Sequence, residues 1–179
     1  FHTVAESFRK EPTAQLFVGN IYTTDEDDRI TWGSHYTPFS LHHLIYLGWN
    51  LSSQATFLTR DMINSVGPMR EDIHVEFDYD WFIRVGKEVR RAVLHRGYGG
   101  CYRIHSKSKL SLQPAESRWP IETQIYKSHG IRVREDVTRE GQWRLRRRLL
   151  KIRHYFLLGL LYYPVTRTGE IARVPIPSL

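Results

Sequence analysis

Residues 75–87 read VEFDYDWFIRVGK, with two carboxylates, Asp78 and Asp80, set among Phe77, Tyr79, Trp81 and Phe82. Taking a carboxylate out of water is costly unless it is paired or put to use. The segment has helical periodicity, which predicts a helix opening at Asp78 and running to about Lys87. Residues 91–104, RAVLHRGYGGCYRI, follow as a strand broken at Gly97 and Gly99–Gly100. Upstream, Gly67-Pro68 marks a turn, and 54–59, QATFLT, alternates as a strand with Thr56 and Leu58 on one face.

Further out the same grammar holds. Residues 1–10 read as a helix with Val4 and Phe8 on one face, stopped by Glu11-Pro12. Residues 15–23, QLFVGNIYT, read as a strand, DEDDR at 25–29 as a polar turn, and ITW at 30–32 as the return strand of a hairpin. Ser40 is placed to cap a short helix, LHHLIYLG, ending at Gly48. A last helix is expected from about Glu116 to Ser128, with Gly130 as its stop.

The chain has 179 residues, enough for one domain with a real core. Its hydrophobic content of 41% and charged content of 25% are those of a folded globular protein. A formal net charge of +7 suggests an anionic partner without choosing among nucleic acid, phosphorylated substrate and anionic lipid. The single cysteine, Cys101, excludes an intramolecular disulfide and a cysteine-based zinc site, and it fits a reducing compartment. No signal-peptide layout opens the sequence.

The C-terminal stretch differs in character. Residues 144–153 hold six Arg or Lys and no acid. Leu145, Leu149, Ile152, Phe156, Leu160 and Tyr163 recur at helical spacing, with the cations mostly off that stripe. The apolar run YFLLGLLYYPV is 11 residues, short of the roughly 20 that cross a bilayer. A basic amphipathic helix through 144–163 can instead lie in a membrane interface, or pack on the domain or a partner subunit.

Helical positions two apart point to nearly opposite sides, at roughly 100° per residue, so Asp78 and Asp80 cannot share one small site. Asp80 precedes Arg84 by four residues, the favourable order for a helical ion pair. Asp78 sits in the first turn, where unpaired N–H groups and the helix dipole favour a negative charge. It is either an N-cap or a fixed general base at the mouth of a cleft. Asp25 and Asp27 mimic a metal-binding D-x-D, but a wholly polar run between two strands reads better as a solvated hairpin tip. Of nine histidines, His105 stands out, closing the strand-like YRIH before the polar SKSK. No phosphate-loop, dinucleotide or nucleophile-elbow motif is present.

Four pieces in order, QATF at 54–57, VGPMRED at 66–72, DYDWFIR at 78–84 and YRIHSKSKLS at 102–111, resemble the C-terminal, acceptor-side half of a family 2 glycosyltransferase. LFVGNIYTTDEDDRI resembles the strand and hairpin ahead of them, so the likeness covers about residues 1–112. It implies an α/β fold, a partial, Rossmann-like GT-A fold over 1–130, followed by a basic amphipathic helical tail over 131–179. The nucleotide-binding half with its D-x-D would precede Phe1, which makes the chain read as a fragment, inactive alone. Phe77 departs from the family, which usually has a small or acidic residue there, and Arg70 stands where the family often has an acidic one.

The resemblance implies that Asp78 is the acceptor-activating base and that Gln54, Thr56 and Trp81 border acceptor or substrate. It places His105 and Arg103 near the diphosphate, with His105 beside a divalent metal, Mg or Mn, held mainly by the absent half. Asp80, Arg84 and Glu71 would support the motif. The implied reaction is inverting transfer of a sugar from a nucleotide-activated donor to a saccharide or lipid-linked acceptor. The implied location is the cytoplasm or the inner face of a bacterial plasma membrane, with polysaccharide biosynthesis as setting and no nucleic-acid partner. Two rivals remain: a basic, non-enzymatic module for anionic membrane or nucleic acid, and a degenerate inactive scaffold.

Overall fold

A computed structural model describes residues 2–46, 49–108 and 118–131, together with Leu149 and Ile152. The elements run α1 (His2–Lys10), β1 (Leu16–Thr24), β2 (Ile30–Ser34), α2 (Leu41–Tyr46), β3 (Thr56–Leu58), α3 (Arg60–Val66), α4 (Phe77–Glu88), β4 (Ala92–Arg103) and α5 (Arg118–Ser128). A 3-10 turn, Ser53–Ala55, leads into β3. The result is a mixed α/β fold, a four-stranded mixed sheet with flanking helices.

β1 is the axis of the sheet. β4 runs parallel to it over its whole length, from Leu16 beside Ala92 to Thr24 beside Arg103. β3 pairs antiparallel with the start of β1 and β2 with its end. Because a strand has two edges, β2 and β3 share the one that β4 leaves. Side chains of β1 alternate between faces. Leu16 and Val18, fully buried, join Phe82, Ile83 and Val85 of α4, Leu44 of α2, Met62 of α3 and Ile125 of α5 in one core. Phe17 points the other way and meets Phe8 of α1 at 4.2 Å between ring centroids.

Two phenols close this core. Tyr79 OH donates to the carbonyl of Leu44 at 3.1 Å and lies 2.7 Å from Tyr126 OH, which reaches the Ile45 carbonyl at 3.4 Å. Carbonyls at the end of α2 are thereby satisfied by side chains, as a buried helix end requires.

Several expectations need correcting. The strand expected over 54–59 starts only at Thr56. Ala55 N–H donates to the Ser52 carbonyl at 3.1 Å, and Thr56 Oγ1 donates to the same oxygen at 2.6 Å, winding 53–55 into a turn. β4 is not broken by its glycines but slips against β1, with His95 beside Gly19, Tyr98 beside Asn20 and Gly100 beside Ile21, so that intervening residues bulge. Asp78 is not the N-cap of α4. Glu76 is, in the left-handed region at φ 61° and without a side-chain cap bond. The hairpin turn holds itself through Asp25 Oδ1, which accepts from the N–H of Asp27 at 3.0 Å and of Arg29 at 2.9 Å. The tail expected over 144–163 lies outside the described residues apart from Leu149 and Ile152, both exposed. No helix among the described residues is long and apolar enough to cross a membrane.

Candidate functional site

α4 carries both Asp78 and Asp80 in its first turn, and it treats them differently. Asp80 is fully buried. Its Oδ2 takes Arg84 Nε at 3.2 Å, its Oδ1 takes His129 Nε2 at 2.8 Å, and Arg70 Nη1 stands 3.8 Å away. Arg84 goes on to donate to the carbonyls of Val66 at 2.9 Å and Pro68 at 2.7 Å. The charge buried at Asp80 is therefore paired, and the pair fastens the loop after α3 to α4. His129, at the end of α5, joins the same cluster, and Lys87 Nζ lies 3.2 Å from its Nδ1. No local sequence signal ties His129 to Asp80, because 49 residues separate them.

Asp78 is the second residue of α4, half-buried, with its Oδ1 accepting the N–H of Tyr79 at 3.0 Å. Burial pushes its carboxyl above the usual carboxylate range, and the amide contact only partly opposes that. A carboxylate with a raised pKa, fixed at a helix opening, can take a proton from a hydroxyl. Tyr79 beside it has its phenol pushed up by burial.

The other expected site residues fall in three places. Trp81 is buried in the core, where its indole Nε1 donates to the Gly67 carbonyl at 2.9 Å. Gln54 sits exposed on the 3-10 turn, its carbonyl against Gly100 of β4, and Thr56 opens β3. Arg103 and His105 lie at the far end of β4, by the hairpin turn, where Arg103 pairs with Asp28. Glu26 accepts the N–H of Ser106 at 2.8 Å, which holds its carboxyl below the ordinary value, and His105 adds a smaller push the same way. Glu71 is exposed in the turn before α4. No hydrogen bond or ion pair among the described residues joins Asp78 to His105. Nor do the described residues bring three or more His, Cys, Asp or Glu side chains together as a metal site.

A cavity of about 350 Å³ opens between the 70–75 loop and α5. Its walls are aliphatic: Ile73 and Val75 from the loop, Ile121 and Ile125 from the helix. Arg70, Asp72 and His74 stand on the loop side, Gln124 and Ser128 on the helix side. Neither Asp78 nor His105 lines it.

Compared with known proteins, the chain matches no family model, and no curated protein matches it.

Proposed function

We propose that this chain is the acceptor-side half of an inverting, family 2-like glycosyltransferase with a GT-A fold. The observation that carries the reading is Asp78, a half-buried carboxylate raised by burial in the first turn of α4. Two features support it. The helix is fastened to the preceding loop by the Asp80–Arg84 pair, so the carboxylate is held rather than mobile. The same helix leads into β4, parallel to β1.

Asp78 takes the proton of an acceptor hydroxyl as that oxygen bonds to the anomeric carbon of a nucleotide-activated sugar. The bond to the leaving diphosphate breaks with its electron pair, and attack from the opposite face inverts the centre. The divalent metal implied by the likeness finds no cluster of three or more His, Cys, Asp or Glu among the described residues, so no step is assigned to it. Peripheral contact with the inner face of a bacterial membrane, through 144–163, belongs to the same proposal.

The test is Asp78→Asn in the complete gene product, assayed for nucleoside diphosphate release from a panel of nucleotide sugars. Transfer should fall by about 10²–10⁴-fold with donor binding unchanged. Unaltered turnover would remove Asp78 as the base.

A further inference from the structure

We propose that the cavity between the 70–75 loop and α5 receives the aliphatic part of a neutral, hydroxyl-bearing amphiphile. Resting on the transferase reading, this makes the acceptor a lipid-like glycoside or alcohol rather than a bare sugar. At about 350 Å³ the space is within the range of small-molecule sites. Ile73, Val75, Ile121 and Ile125 form its walls, and Ile125 belongs to the buried core, so the floor is fixed. Among the described residues no Phe, Tyr or Trp lines it, so its walls are aliphatic rather than built for stacking on a base or a sugar face.

The charges around it favour a neutral ligand. Arg70 donates through Nε to Asp72 Oδ1 at 3.0 Å and faces Asp80 at 3.8 Å, while Asp80 is paired with Arg84. Of the residues that line the cavity, Arg70 and Asp72 carry the opposite charges and answer one another. His74 and Gln124 line the cavity as well and can hydrogen-bond a hydroxyl, and Ser128, whose Oγ donates to the Ile125 carbonyl at 2.8 Å, can accept from one. Val75 stands three residues before Asp78, so at most about 10 Å of chain separates the wall from the proposed base. An amphiphile seated in the cavity has its polar head within reach of the first turn of α4.

The probes are n-octyl β-glucoside, kept below its micelle concentration, and methyl β-glucoside, titrated into the 179-residue chain by calorimetry and amide NMR. Each buried methylene multiplies affinity roughly fourfold, so the octyl compound should bind at least about a hundredfold tighter. Ile121→Glu puts a charge in the wall and should weaken octyl binding about tenfold or more. Ser128→Trp fills the rim from an exposed position and should do likewise, deciding alone if the first variant does not fold. Equal binding of the two glucosides, or octyl binding indifferent to Ser128→Trp, overturns the cavity. With the complete gene product, the octyl chain should lower KM and leave kcat unchanged. Transfer that ignores the chain overturns the cavity and spares the transferase. Octyl binding without transfer to any acceptor overturns the transferase and the acceptor role together.

Discussion

Ionised Asp78 is disfavoured in the fold, because burial raises its carboxyl above its unfolded value. A raised carboxyl stabilises the native state only while protonated. That contribution is complete below about pH 4, the unfolded value, and is lost as pH climbs through the folded one. At neutral pH the wild type therefore bears a cost that an amide does not. Asp78→Asn should melt higher than wild type at pH 7, by about 2–4 °C per kcal/mol recovered, with the gap narrowing toward acid pH. Thermal scans by circular dichroism across pH 4–8 check this. A gap that widens in acid would contradict burial as the cause. The same ionisation gives transfer its pH dependence: rate should rise with pH through a value above the usual carboxylate range. Asp80 is the opposite case, a buried charge already paired. Asp80→Asn leaves Arg84 uncompensated and should cost about 3 kcal/mol, read as a lower urea midpoint at unchanged slope.

At the scale of elements, Gly100 shows how β4 and the 53–55 turn are fitted. A Cβ there would stand against the Gln54 carbonyl oxygen, which is backbone and cannot swing aside. Gly100→Ala should therefore cost about 1–3 kcal/mol and displace the turn that carries Gln54, visible as amide shifts at Gln54 and Ala55. α4 was legible in sequence because its pattern is local: apolar positions at helical spacing and an acid four residues before Arg84. Its cap was not, since a left-handed Glu76 follows from how the loop arrives rather than from side-chain preference. QATF alternates like a strand throughout, yet contacts to the Ser52 carbonyl wind its first half. Contacts that cross the chain left no local trace. His129 reaches Asp80, and Tyr126 reaches Tyr79, only because α5 returns across α4. The aliphatic cavity between the loop and α5 was hidden for the same reason.

For the whole molecule, the question is where the folded unit ends and what the basic tail does. Ile131, with which the described stretch 118–131 closes, lies against the core and donates its N–H to the Tyr126 carbonyl at 2.9 Å. A cut should follow Ile131 rather than Gly130. We expect residues 1–131 to unfold in one cooperative transition near the melting temperature of the full chain. Anionic-lipid binding should leave with 132–179, which contain the six cations of 144–153 and the apolar stripe beside them. Salt separates the rival partners. A nucleic acid held by six phosphate contacts would lose about a thousandfold in affinity between 50 and 200 mM salt. A helix whose apolar stripe enters the lipid keeps a hydrophobic share that salt does not screen. Co-sedimentation with phosphatidylglycerol vesicles should accordingly survive 200 mM salt in the full chain and fail in 1–131. Retention by 1–131 would move the lipid contact onto the sheet-and-helix body and detach the tail from the proposed membrane role.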